Sequence, residues 1–139
     1  MMHRRVLILS IAVTLFAAFP AAADNVSGAD ELICASTQAT VCNNEGECKT
    51  GPPSSWAIPR FVEINLAAKL LKTTEASGQN RATPIQTVAR SEGLVILQGS
   101  EMGRAFSLVI SEKDGTLAAA VARAGVTVSV FGACTPLGQ

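Results

Sequence analysis

The residues of this chain best equipped for chemistry are four cysteines, Cys34, Cys42, Cys48 and Cys134, and one histidine, His3. Cysteine offers nucleophilic attack, metal ligation or disulfide formation. Structural zinc sites pair their ligands as Cys-x2–4-Cys. The gaps here are seven, five and eighty-five residues, so no pair has that spacing. His3 cannot complete a mixed site, because it lies in a segment the chain is expected to lose.

That segment is residues 1–23. A short basic start, Met1-Met-His-Arg-Arg5, precedes an apolar run of 14 residues from Val6 to Phe19, and Pro20-Ala-Ala-Ala23 follows. A basic n-region, an apolar h-region and a small Ala21-x-Ala23 site describe a secretory signal cleaved before Asp24. A membrane-spanning helix needs about 20 apolar residues, more than this run supplies. The first cysteine after it, Cys34, is too far along for lipid attachment. The expected product is a single domain, 24–139, in the periplasm or secreted, with no stable membrane insertion. In such a compartment an even number of cysteines reads as two disulfides.

Losing His3 excludes whole mechanisms. Histidine titrates near neutral pH and is the commonest general base and metal ligand. Neither a Ser-His-Asp nor a Cys-His mechanism can be built after residue 23, and the chain has no tyrosine. Carboxylate-only hydrolysis needs two acids about 5–10 Å apart in a cleft, whereas the acids here fall mainly in expected turns. The reading is a protein that is not an enzyme, with no catalytic residues, no metal and no cofactor. The chain carries 11 basic and 11 acidic residues. Loss of Arg4 and Arg5 leaves the product two charges on the acidic side. That balance gives no electrostatic footprint for nucleic acid or anionic lipid.

The elements that would position the cysteines are short strands. Leu32–Cys42 alternates, with Ile33, Ala35, Thr37, Ala39 and Val41 suited to one buried face. Asn43-Asn-Glu-Gly-Glu47 is rich in turn formers and can close a hairpin between Cys42 and Cys48. The favoured pairing is therefore Cys42–Cys48 with Cys34–Cys134, the latter tying the start of the domain to its end. The second choice is Cys34–Cys42 with Cys48–Cys134. Asp24–Asp30 reads as a loose lead-in, and 43–55 as a surface loop. Residues 60–74 read as a hairpin turning near Asn65–Ala68, with a short helix near 63–72 as its rival.

From Pro84 onward five strands recur at 8–12 residue spacing: Ile85–Arg90, Leu94–Gly99, Arg104–Ile110, Thr116–Arg123 and Val126–Phe131. Phe106, Leu108 and Ile110 share a face, as do Leu117, Ala119 and Val121, and Val126, Val128 and Val130. The fold expected is an all-β antiparallel meander of about 7–8 strands, closed into a barrel or packed as a sandwich and stapled by two disulfides.

The ending Val130-Phe-Gly-Ala-Cys134, with Leu94-Val-Ile-Leu-Gln-Gly99 and Ala105-Phe-Ser-Leu-Val-Ile110, resembles small exported β-rich proteins of proteobacteria whose function is uncharacterised. The resemblance covers most of the segment after residue 23 and implies no activity. The general plan is also similar to the small periplasmic barrels that inhibit lysozyme, although this chain has neither their Ser-Gly-Ser loop nor tyrosine.

Candidate binding residues are few. Trp56 reads as a plug covering one end of the barrel or as an exposed binding aromatic. The turns at 91–93 and 111–115 fall at one end, carrying Glu92, Glu112 and Asp114, with Glu101 at the other. That acidic rim suits a basic partner, or simply solubility. An eight-stranded barrel is just wide enough to be filled by side chains or to hold one small ligand. Many Ala and Val residues, with only Trp56, Phe61, Phe106 and Phe131 as large aromatics, favour a filled interior. The function read from these features is a non-catalytic binding or inhibitory module acting on an envelope protein or a small ligand. A structural role in the envelope is the alternative, and a carboxylate-only hydrolase the least favoured. Mass spectrometry of the exported protein is expected to show a chain beginning at Asp24. An intact Met1 terminus would contradict the leader.

Overall fold

The computed structural model describes residues 24–138. The expected leader, residues 1–23, lies outside them. Ten strands follow in chain order: β1 (Glu31–Asn43), β2 (Cys48–Gly51), β3 (Phe61–Asn65), β4 (Leu70–Thr73), β5 (Ala82–Pro84), β6 (Thr87–Ser91), β7 (Leu94–Glu101), β8 (Arg104–Ser111), β9 (Thr116–Arg123) and β10 (Val126–Pro136). Two 3₁₀ turns, Pro53–Trp56 and Glu75–Ser77, complete the list. The strands form one antiparallel sheet in the order β5-β4-β3-β1-β10-β9-β8-β7-β6, with β2 beside the second half of β1.

The all-β expectation holds, with two amendments. The count is ten rather than 7–8, because β2, four residues long, emerges from the 43–55 segment read as a loop, and β5, three residues long, from residues between the expected elements. The sheet is a half-barrel rather than a closed barrel or a sandwich. Its path ends at β5 and β6, which are consecutive in the chain. Ile85 and Gln86 carry the backbone across that seam, Ile85 N–H donating to Lys69 O at 2.9 Å and Gln86 N–H to Gln98 O at 2.9 Å.

Residues 63–72 form the β3–β4 hairpin, not a helix. The Asn65 side chain accepts from Ala68 N–H at 2.7 Å inside the connecting turn. Ile64 and Leu66 are buried while Lys72 points outward. A helical stripe through Ile64, Ala67, Ala68 and Leu71 would leave the alternating face of β3 without a partner.

Both disulfides have the favoured pairing. Cys34 faces Cys134 across β1 and β10, and Cys42 faces Cys48 across β1 and β2. The Cα–Cα distances are 4.0 and 4.1 Å, nearer the spacing of non-hydrogen-bonded antiparallel pairs than the wider hydrogen-bonded ones. Asn43 makes the short hairpin, its side-chain oxygen accepting from the N–H groups of Glu45 and Glu47 at 3.0 Å each.

One expectation about β1 is corrected. Its buried positions are Leu32 and Cys34 first, then Ala39. The inward parity changes because a bulge inserts Thr37 between Ser36, opposite Gly132, and Gln38, opposite Phe131. A bulge shifts one strand by a residue and so exchanges its faces. Gly132 permits it, since a Cβ there would stand 2.1 Å from Ala35 O.

The lead-in is also corrected. Val26 is 1% exposed and its N–H donates to Glu112 O at 2.8 Å. Arg90 holds the same segment by bonding Ala29 O and by ion pairs to Asp30 and Glu112. Residues 24–30 thus plug one end of the half-barrel over Leu32, Leu97, Ile110 and Leu117.

On the loop-entropy account, bridging a separation of 100 residues stabilises by about 4–5 kcal/mol and a separation of 6 by about 2 kcal/mol. Urea unfolding of C34A/C134A is therefore expected to show a loss about twice that of C42A/C48A. Equal losses would contradict the role given to the long-range bridge.

Candidate functional site

The two ends of the half-barrel differ in the length of their inward side chains. At the plugged end these are Leu32, Ile64, Leu97, Ile110 and Leu117, all nearly inaccessible. At the other end β1, β9 and β10 turn inward Val41, Val121, Val126 and Val128. Valine does not reach the middle of a curved sheet, and a cavity of about 410 Å³ is left. This size lies within the range of small-molecule sites. The filled interior expected from composition is therefore present at one end only.

The wall is mostly apolar. Val62 of β3, Leu71 of β4 and Phe106 and Leu108 of β8 face the valines. Phe106 occupies its place because its cross-strand neighbour is Gly99. A Cβ on Gly99 would lie 2.4 Å from the Phe106 ring and 3.0 Å from Pro84 O. The glycine thus lets the ring lie flat and lets β5 approach β7.

Trp56 and the segment Ala57–Pro59 complete the wall beside β2. The indole packs on Gly51, where an added Cβ would be 3.3 Å from the ring, and it stays partly exposed. Ala57 adopts a left-handed backbone (φ 54°) after the 3₁₀ turn, and Gln79 Nε2 donates to Ala57 O at 3.3 Å. The loop is thereby tied to the β4–β5 connection.

Four charged residues line the cavity: Arg81, Glu101, Arg104 and Arg123. Glu101 accepts from the buried Thr83 hydroxyl at 2.7 Å and pairs with Arg81 at 3.3 Å. The Thr83 bond, the largest influence, holds its carboxyl below the ordinary 4.5. Burial opposes this, and the bond to Arg81 and the charges of Arg81 and Arg104 add to it. Among the described residues neither Arg104 nor Arg123 makes an ion pair.

The candidate residues from the sequence are divided between the two ends. Trp56 is on the cavity wall. Glu92, Glu112 and Asp114 lie at the plugged end. Glu92 occupies a left-handed turn position (φ 54°) beside Gly93. Glu112 pairs with Arg90. Asp114 bonds the Ser111 side chain and the Thr116 backbone, which lowers its pKa. Asp114 thus acts within its own turn, and Glu112 ties its turn to Arg90 and to the 24–30 segment. Sequence reading missed Arg81, Arg104 and Arg123. For Arg104 and Arg123 the available signal was an arginine at one end of a predicted strand whose alternating positions are apolar; Arg81 precedes the first of the strands expected from Pro84 onward and carried no such signal.

Among the described residues no group of three or more His, Cys, Asp or Glu could hold a metal ion. No helix among them is long and apolar enough to cross a membrane. No family model, curated protein or solved structure matches the chain.

A carboxyl held below its ordinary pKa stabilises the fold above that ordinary value, and the contribution is lost as pH falls through the lowered one. Stability is expected to drop as the pH falls below about 4.5, and the drop is expected to be shallower in Glu101→Gln. Thr83→Val is expected to cost about 1 kcal/mol at neutral pH in urea unfolding. An acid profile unchanged in Glu101→Gln would show that this carboxylate has no such role.

Proposed function

We propose that this protein is an exported, non-catalytic binding module that holds a small apolar-bodied ligand in the open end of its half-barrel. The observation that carries the reading is the cavity of about 410 Å³. Its apolar wall is assembled from β1, β3, β4, β8, β9 and β10, so the sheet itself holds the shape. Sites of this kind are concave, mostly apolar and few in a protein, with a small number of polar groups at defined positions.

Export is supported by the leader pattern of residues 1–23 and by two disulfides, which persist in oxidising compartments. The periplasm or the exterior is the proposed location. The non-catalytic reading is supported by the polar groups of the wall. Glu101 is its one carboxylate among the described residues, and Thr83 and Arg81 keep it ionised. Arginine does not deprotonate in proteins. No group there is poised to move a proton near neutral pH.

Trp56 is the single tryptophan of the chain, and its place on the wall makes it a reporter. Titration with the neutral fluorophore N-phenyl-1-naphthylamine is expected to quench Trp56 by energy transfer, with saturation at one probe per chain. Val128→Phe, which fills the cavity, is expected to weaken binding at least about tenfold, equivalent to roughly 1.4 kcal/mol, with the urea midpoint little changed. Absence of saturable binding would overturn the proposal.

A further inference from the structure

The cavity's charge is out of balance with its surroundings. The segment after residue 23 is weakly acidic, yet three arginines and one glutamate are among the residues lining this end. Arg81 is matched by Glu101. Arg104 and Arg123 are not, and the sheet register brings them together. β8 and β9 pair Ala105 with Ala122, and one step further the same register sets Arg104 opposite Arg123. Both share the inward parity of Phe106 and Val121 and both line the cavity. Like charges directly opposite each other across two strands destabilise a sheet. Glu101 is the cross-strand neighbour of Arg104 and feels its charge, but its Oε2 is held by Thr83 and Arg81 and, among the described residues, it forms no ion pair with Arg104.

We infer that Arg104 and Arg123 form the anchor for an anionic head group, and that the ligand is a free single-chain amphiphile whose hydrocarbon part enters the cavity. The inference rests on the binding function proposed above and names the chemical class of its ligand. A carboxylate bridging the two guanidiniums would relieve their repulsion through charge-assisted hydrogen bonds, which arginine forms in bidentate geometry. The valine wall behind them takes the chain. Other arrangements of charge are less well matched. A cationic amphiphile would meet three arginines at the mouth, and a neutral one would leave the Arg104–Arg123 repulsion in place.

The test is competition at neutral pH between bound N-phenyl-1-naphthylamine and two ligands of equal chain length, dodecanoate and dodecanol. Dodecanoate is expected to displace the probe at roughly tenfold lower concentration, and added sodium chloride is expected to shrink that advantage. In R104Q/R123Q the advantage is expected to vanish while the neutral probe still binds, which also reports an intact cavity. Equal displacement by the two ligands, with the probe bound normally, overturns the anionic anchor and leaves the cavity reading standing. Failure of the probe to bind at all overturns both. Sedimentation of the protein with phosphatidylglycerol vesicles would place the anion in a bilayer and overturn the free-amphiphile form.

Discussion

β1 and β10 lie near opposite ends of the described chain, and their antiparallel pairing is the contact from which the remaining structure follows. Each half of β1 has a different neighbour on its other edge, β3 for Glu31–Ala35 and β2 for Ala39–Cys42, while β10 runs along its whole length. Without that pairing the sheet would separate into two meanders, each with a long exposed edge of unpaired backbone groups. Closing so long a loop costs entropy. The Cys34–Cys134 bridge reduces that cost by holding the same two strands together in the unfolded chain.

The pairing also sets the division of the interior. β10 presents Val126, Val128 and Val130 and then Cys134 to the inside, and β1 keeps pace only because the Thr37 bulge exchanges its faces midway. On one side of the bulge the inward residues meet leucines and isoleucines and the Val26 plug, and the space is filled. On the other side they meet valines and the Phe106 ring, and the space stays open. The same strand ends that leave the cavity open carry its charged residues, since Glu101, Arg104 and Arg123 each stand at a terminus of β7, β8 or β9. Apolar volume and charged rim are thus two results of where the strands stop.

Much of the fold was legible in the residues. The alternation through 104–130 identified the inward faces of β8, β9 and most of β10, because each of those strands keeps one buried side. The disulfide pairing followed from the Asn43–Glu47 turn, whose local chemistry is self-sufficient. The bulge was not legible. Nothing in Ser36-Thr-Gln38 departs from ordinary strand composition, and the residue that permits it, Gly132, is ninety-five positions from Thr37. The half-open interior was missed for a related reason. Composition over the whole domain averages Leu and Ile at one end with Val and Ala at the other, and only the register shows that they segregate. The plug at 24–30 looked loose because its small polar residues are held by Arg90 and Glu112, partners distant in sequence.

A methyl NMR titration with a neutral apolar probe tests most directly whether the open end is where a ligand lodges. Shifts are expected at Val41, Val121, Val126 and Val128, with Val95, Leu97 and Ile110 at the plugged end unmoved. Shifts centred instead on Ala118 and Val109, the methyl-bearing residues in register with the outward Phe131, or spread evenly over both ends, would contradict the account of a half-barrel filled at one end and open to a ligand at the other.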